Sequence, residues 1–439
     1  MRFELPDGLP YGWTYRLLAT VCSRITSGGT PSRRVKEYFG GNVNWVKTQE
    51  LLDRKLVDTE EKITVSGLNN SSAKLLPENT VLLAMYGATV GRLGILEKES
   101  TCNQACCAFI CDPKQSDYRF LFYVLLGNRT NIIGLASGAA QQNLSGQQLK
   151  LVELAFPPLA LQKNIANVLA SIDDRIDHNR ALAANLEAIA RRLFKSWFVD
   201  FDPVRAKAAG EKPSGLADDI ALLFPDRFVE SELGEIPEGW RLETLASVAR
   251  LNPETWTTRK HPDEIRYLDL SNVKDGLVDS PTKYSWEEAP SRARRLLQQG
   301  DTIIGTVRPG NRSFALIDQA GLTGSTGFSV LRPASDSKRE YLYLASTSDD
   351  AIERLAHLAD GAAYPAVRPE VVLDTGTIIP SNEVMMAFSA VTKGMIDRAS
   401  VCKQEANALA EIRDLLLPRL ISGKLRVEDA ESVIEEAIA

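Results

Sequence analysis

The chain has 439 residues, more than one ordinary core accommodates, so two or three domains are expected. Hydrophobic residues make up 44% and charged residues 25%, the balance of a soluble globular protein. The net charge of −6 argues against binding a polyanion through bulk charge. The opening MRFELPDGLPYGW lacks a basic segment followed by an apolar one, so no signal peptide is expected. No apolar run reaches the roughly 18 residues of a membrane span. Six cysteines over this length suit a reducing cytoplasm better than a disulfide framework.

In chain order the sequence divides into six stretches. Residues 1–156 are mixed, with short β-branched runs such as 80–83 between Gly, Pro and Asn turns. After Pro157-Pro158 a long amphipathic pattern predicts a helix over 157–200, about 60 Å long at ~1.5 Å per residue. Residues 201–238, with AKAAGEKPSG and an acidic run, read as a linker. Residues 239–380 are mixed again, residues 381–425 predict a second long helix, and 426–439 an acidic tail.

The second half repeats the first at an offset of about 223 residues. Gly12-Trp13 is answered by Gly239-Trp240. Lys74-Leu75-Leu76 with Val81-Leu82-Leu83 is answered by Arg295-Leu296-Leu297 with Thr302-Ile303-Ile304. Gly138-Ala139-Ala140 matches Gly361-Ala362-Ala363, and Pro157 matches Pro380. Two copies are too few for a solenoid and imply a pseudo-dimer on one chain. A heptad frame gives seam positions Ile165, Val168, Ile172, Arg175, Asn179, Leu182, Leu186, Ile189, Leu193 and Ser196 in the first helix. In the second it gives Phe388, Val391, Met395, Arg398, Cys402, Glu405, Leu409, Ile412, Leu416 and Arg419. Seven of ten are apolar in each, which predicts that the two helices pack on each other, antiparallel if paired across a pseudo-twofold. The fold class expected is therefore α+β: two repeated mixed domains and two long helices forming an antiparallel coiled coil.

Catalytic motifs are missing. A base methyltransferase needs a glycine-rich cofactor loop and a motif such as Asn-Pro-Pro-aromatic, and Asn252-Pro253-Glu254 lacks its second half. Gly423-Lys424 is followed by Leu425, which is no phosphate loop. Pro262-Asp263 and Asp269-Leu270-Ser271 lack the lysine of a metal-dependent nuclease. The three histidines, His178, His261 and His357, are far apart in sequence and suggest neither a triad nor a zinc site. Cys102, Cys106, Cys107 and Cys111 align at an offset of 221 with Thr323, Gly327, Phe328 and Arg332, so the fold does not require cysteine there and they read as buried strand residues. No metal or cofactor is expected on this chain.

Charge by segment leaves a nucleic-acid reading open, because the acidity sits in the helices, linker and tail. Residues 1–150 carry 17 Lys+Arg against 13 Asp+Glu, net +4; residues 151–239 carry 10 against 15, net −5. Residues 240–380 carry 17 against 19, net −2, and 383–439 carry 7 against 10, net −3. Sequence readers of DNA need donors and acceptors on loops, with cations nearby for phosphates. The first copy offers Thr30, Ser32, Arg33, Arg34 and Lys36, then Lys47, Thr48 and Gln49, then Tyr86, Arg92, Asn103 and Gln104. The second offers Arg292, Arg294, Arg295, Arg308, Asn311 and Arg312. These sets differ while the framework repeats, as two domains reading different sequences require.

On these residues the chain resembles the specificity (S) subunit of type I restriction–modification systems. The likeness is carried by Gly29-Thr30-Pro31-Ser32, by Tyr86-Gly87-Ala88-Thr89-Val90-Gly91, and by Pro157-Pro158-Leu159 with Gln162. It continues in Lys195-Ser196-Trp197-Phe198-Val199-Asp200-Phe201-Asp202-Pro203-Val204 and in Leu415-Leu416-Leu417-Pro418-Arg419-Leu420-Ile421-Ser422-Gly423-Lys424-Leu425. The resemblance implies two target-recognition domains, each reading half of a bipartite asymmetric site in double-stranded DNA, held apart by the paired helices. It implies a non-catalytic subunit with two methylation subunits that bind S-adenosylmethionine and with restriction subunits that use ATP and Mg. The second copy departs from the pattern, with Tyr364-Pro365 where the first has Gln141-Gln142 and 307–312 where it has 87–92. The rival reading is a coiled-coil scaffold whose globular domains bind protein.

Overall fold

A computed structural model of the chain describes residues 1–136, 143–232, 234–361 and 365–438. The repeat match at Gly138-Ala139-Ala140 and Ala362-Ala363, and the contrast of Gln141-Gln142 with Tyr364, lie outside these residues. The chain forms two units, one of Met1–Ile176 with Ala408–Ala439, the other of Asp177–Asn407.

In the first unit the run Val81–Ala84 is buried throughout because it is the middle strand of a five-stranded sheet. The order is Cys22–Ser27, Cys106–Cys111, Val81–Ala84, Leu93–Leu96, Arg54–Leu56. A second sheet pairs Phe39–Val46 antiparallel with Lys62–Ile63 and parallel with Thr101–Cys102. A two-stranded ribbon joins Thr14–Leu17 to Glu153–Phe156, closing the domain where it opened. Cys102, Cys106 and Cys107 are buried in these sheets, and all six cysteines are unpaired. Burial pushes the Cys107 thiol up to about 12, so it is an apolar strand residue and not a reactive thiol.

The second unit rebuilds the same plan. One sheet has the order Ala249–Leu251, Phe328–Pro333, Thr302–Gly305, Phe314–Leu316. In another, Glu264–Leu268 pairs antiparallel with Thr282–Ser285 and parallel with Leu322–Ser325. The closing ribbon is Arg241–Thr244 with Gly376–Ile379. Buried Asp301 anchors this domain: Arg332 donates to it through Nε at 2.8 Å and Nη2 at 3.0 Å, and Gln298 N–H at 2.8 Å.

The long helices are Leu159–Phe198 and Asn382–Ile421. Gln162 is buried at the start of the first. Its side chain donates to the Pro157 carbonyl at 2.9 Å and accepts the Asp117 N–H at 3.1 Å, so this motif glutamine ties the helix to its domain. The helices are packed on each other antiparallel: in the second unit Asn179 donates to Glu405 at 3.1 Å, Ala183 packs with Ala399 and Cys402, and Trp197 lies 5.5 Å from Phe388. In the first unit Arg413 bonds Asp173 at 2.8 Å.

Half of the expected seam is displaced by one residue. Ile165, Val168, Ile172 and Asn179 are buried, as are Phe388, Cys402, Leu409 and Leu416, and Leu182 and Leu186 pack beside Ala183, Ala399 and Cys402. The alternate positions lie four residues on, at Leu169, Ile176, Ala183, Ala190 and Trp197, and at Thr392, Ala399, Ala406 and Leu420 at the same 223 offset. Arg175, Arg398 and Arg419 are exposed, and Ile189 is 44% exposed. Steps of three and four from one residue both lie on a single helix face, so the pattern of this sequence leaves the choice open.

The segment 201–238, expected as a linker, carries the helices Asp202–Ala208 and Asp218–Leu222 and a hairpin of Phe228–Ser231 with Gly234–Pro237. It is held by apolar anchors: Phe201, Val204 and Phe224 are buried with Trp197, Phe198 and Trp240 in one aromatic cluster. The 195–204 motif thus ends the first helix, with Phe201 at φ 57° and Ser196 donating to Asp202 at 2.6 Å. The acidic tail is helical over Val427–Ile438.

The seam can be tested directly. Ile176→Ala, at 2% exposure, is expected to destabilise by about 2–5 kcal/mol. Ile189→Ala is expected to stay within about 0.5 kcal/mol. Denaturant unfolding of the intact chain measures both; equal losses would restore the original heptad frame.

Candidate nucleic-acid interface

In the first domain, residues 47–49 and 103–104 follow strands of the smaller sheet. Thr30, Ser32, Arg33, Arg34 and Lys36 instead follow Cys22–Ser27, and Tyr86 and Arg92 lie between Val81–Ala84 and Leu93–Leu96, strands of the five-stranded sheet. An added Cβ at Gly28 would sit 2.0 Å from the Cys102 carbonyl and one at Gly29 2.3 Å from Ser72, so only glycine lets this loop lie so close. The Trp45 indole donates to the Gly29 carbonyl at 2.9 Å and fixes it there. Thr30 then bonds Gln104, while Arg33 lies over the rings of Phe39 and Trp45 at 4.3 and 5.1 Å. Lys47, Thr48 and Gln49 begin at the neighbouring strand end, where Glu50 accepts the Lys47 N–H at 2.7 Å. Asn103 N–H donates to the Val46 carbonyl at 2.9 Å, bringing Asn103 and Gln104 alongside. Ser32, Arg34, Lys36, Gln49, Tyr86, Arg92 and Gln104 are exposed.

Arg33 and Lys47 are not bare cations. Arg33 bonds Glu61 with both terminal nitrogens, Nη2 at 2.9 Å, and Lys47 bonds Glu60 at 2.8 Å. The hydrogen bond from Arg33 lowers the Glu61 carboxyl from its ordinary value.

The second domain has the same skeleton with different chemistry. The Leu270–Asn272 turn corresponds to Thr48–Glu50, and Asn272 accepts the Asp269 N–H at 3.0 Å as Glu50 does from Lys47. An acid stands where the first copy has a base. In the next loop Val90 N–H donates to Gly87 at 3.1 Å and Ala84 N–H to Arg92 at 2.9 Å. The second copy repeats these bonds as Asn311 to Arg308 at 2.8 Å and Gly305 to Ser313 at 2.7 Å. Gly87 and Gly91 have φ 71° and 81°; their counterparts Arg308 and Arg312 have φ 48° and 61°. A left-handed backbone costs a residue with Cβ about 1–2 kcal/mol, so the second loop keeps a glycine conformation with arginines in it.

Arg308, Asn311 and Arg312 line a groove of about 690 Å³ together with Ser271, Lys274 and Asp275. Arg292 joins the same end of the domain, bonding Asp269 at 2.7 Å and the Tyr267 hydroxyl at 3.2 Å. Arg294 and Arg295 are placed differently. The Arg294 guanidinium lies 4.5 Å from the Trp286 ring, which itself stacks on His261 at 4.1 Å. Arg295 is half-buried with its Nε covered and unpartnered, and burial lowers its pKa.

Sequence reasoning missed Lys274 and the carboxylates that face the loop cations: Glu60, Glu61, Asp275 and Asp349. The Asp275-Gly276 dipeptide was a findable signal, since Asp-Gly favours a tight hairpin turn and both residues have positive φ here. Among the described residues no cluster of His, Cys, Asp and Glu is placed to hold a metal. No described helix is long and apolar enough to cross a membrane.

Two β-rich domains thus share a frame and differ in the polar residues of their loops. A family model for the type I restriction modification DNA specificity domain matches residues 10–188. The specificity subunit of the type I restriction enzyme MjaIX from Methanocaldococcus jannaschii is 23% identical, covering 96% of this chain and 95% of its own. That of HindI from Haemophilus influenzae is 22% identical over 90% of this chain and 98% of its own. The crystal structure of an S subunit from M. genitalium shares the fold, with a TM-score of 0.58 and 17% identity over 95% of this chain and 98% of its own. The chain is similar, over nearly its whole length, to specificity subunits of type I restriction–modification systems.

The loop strain gives a stability test. Arg308→Gly is expected to leave stability unchanged or raise it by up to about 1 kcal/mol, because glycine adopts φ 48° without penalty. Thermal unfolding measures it, and a loss beyond about 1 kcal/mol would mean that the side chain holds the loop together.

Proposed function

We propose that each recognition domain reads one half of a bipartite, asymmetric site in double-stranded DNA, and that the chain positions two methylation subunits and the restriction subunits on that site. The observation that carries this reading is the unmatched chemistry on matched loops. Lys47 stands against Asp269, and Gly87 and Gly91 against Arg308 and Arg312, while the hydrogen bonds of the turns repeat. Loops that only supported the fold would have no reason to differ so sharply in charge. In this reading Arg308 and Arg312 reach phosphates or guanine edges in the second half-site, with Arg292 and Asn311 beside them. Thr30, Ser32, Arg33, Arg34, Lys36, Lys47, Thr48, Gln49, Tyr86, Arg92, Asn103 and Gln104 serve the first.

Methyl transfer then belongs to the methylation subunits, with S-adenosylmethionine, and cleavage to restriction subunits using ATP and Mg. Six unpaired cysteines are compatible with action in the cytoplasm.

Reconstitution tests the proposal. The chain mixed with a methylation subunit, S-adenosylmethionine and genomic DNA is expected to methylate one bipartite motif, found by methylome sequencing. Arg308→Ala is expected to relax one position in one half-site and cost ~1–3 kcal/mol there if it contacts a base. A phosphate contact would instead weaken all sequences alike. Salt-independent binding, or no methylation with any methylation subunit from the same operon, favours the protein-binding scaffold instead.

A further inference from the structure

In both recognition domains some cations of the reading loops, Arg33 and Lys47 in the first and Arg312 in the second, are closed by carboxylates from another segment of the same domain. Arg312 lies between two. Its Nε bonds Asp275 and its Nη2 meets Asp349 at 2.9 Å. Asp275 comes from the hairpin turn between Val273–Lys274 and Leu277–Val278, and its own N–H donates to the Arg312 carbonyl at 2.8 Å. Asp349 comes from the start of the helix Asp349–Leu358. In the first domain Glu60 and Glu61 stand against Lys47 and Arg33, with Glu61 3.8 Å from Lys47 as well. The pairing is made from unrelated segments in the two copies, so it is not inherited from the repeat.

Most of these carboxylates are accessible, Asp349 and Glu60 at 79% of the side chain, and such pairs stabilise a fold little. Their consequence lies in binding. A phosphate that takes Arg312 brings a negative charge next to two carboxylates that have just lost their cation. A guanine edge that takes the same guanidinium through N7 and O6 brings none. The carboxylates therefore oppose phosphate-only contact more than base contact.

Resting on the DNA-reading function above, we propose that Asp275 and Asp349 in the second domain, and Glu60 and Glu61 in the first, are specificity-determining residues. They suppress binding to non-cognate duplex by holding the loop cations until a base edge replaces them.

The test uses the full chain assembled with its methylation subunits and two 30-base-pair duplexes, one of random sequence and one carrying the motif found by methylome sequencing. The Asp275→Asn/Asp349→Asn variant is expected to bind the random duplex about tenfold more tightly. Its salt slope should steepen by about 1, as one more cation becomes free to displace counterions. Affinity for the motif duplex should change by less than about threefold, so discrimination narrows. In an Arg312→Ala background the same two changes should have no effect. Unchanged random-duplex affinity in a folded variant overturns the proposal, as does an equal effect without Arg312. If the second-domain variant does not fold, Glu60→Gln/Glu61→Gln decides by the same criteria. Failure of the unaltered complex to bind either duplex would instead overturn the DNA-reading function.

Discussion

Each domain is closed on itself by a short antiparallel ribbon immediately before its long helix. Thr14 faces Phe156 and Arg241 faces Ile379, and a proline follows within a residue in each case, Pro157 and Pro380. The ribbon ties the entering chain to the leaving chain, so the residues between can vary without disturbing where the helix begins. Proline then limits the backbone at the helix entry and prevents the strand from running on. In the first unit Gln162 adds side-chain bonds across the same junction.

Within that closure the division of labour between frame and loops is energetic. The frame residues are mostly apolar and buried, or polar groups such as Asp301 held by Arg332, with the buried hydroxyls of Thr302 and Ser329 left without a hydrogen-bond partner. The loops carry the unfavourable features: non-glycine residues at positive φ and like charges gathered in a groove. A frame with a surplus of burial tolerates a strained loop at a cost of a few kcal/mol, and Arg308 and Arg312 sit where that tolerance is used.

The repeat was legible in the sequence because apolar runs recur at a fixed offset, and it extends to hydrogen bonds that no periodicity reveals. The helices were legible as well, but their seam only in part. Positions such as Val168 and Leu169, or Leu182 and Ala183, offer an apolar residue to either frame, and alanine in a seam gives a weak signal although Ala183, Ala190, Ala399 and Ala406 are all buried. The ordered segment 201–238 was hidden by its Gly, Pro and charge content, while its few anchors, Phe201, Val204 and Phe224, carry the packing. Candidate loop cations could be chosen by residue type. Their carboxylate partners could not, because Asp349 lies 37 residues from Arg312 and Glu61 28 from Arg33, and only the fold brings them together.

That pairing bears on the net charge of −6, which at first speaks against a DNA-binding role. Long-range attraction scales with net charge and is screened beyond about 8–10 Å at physiological salt, whereas contact energy depends on local geometry. A strongly basic reader would gain affinity for every duplex it met, and random sites vastly outnumber specific ones. In the proposed function, an acidic chain that keeps Arg33, Lys47 and Arg312 paired loses some speed of encounter but gains in the ratio of specific to random binding. For a subunit whose task is to choose a sequence, that ratio is the quantity that matters. The acidic helices and the carboxylates beside the loops thus act in the same direction, the first on approach and the second at contact.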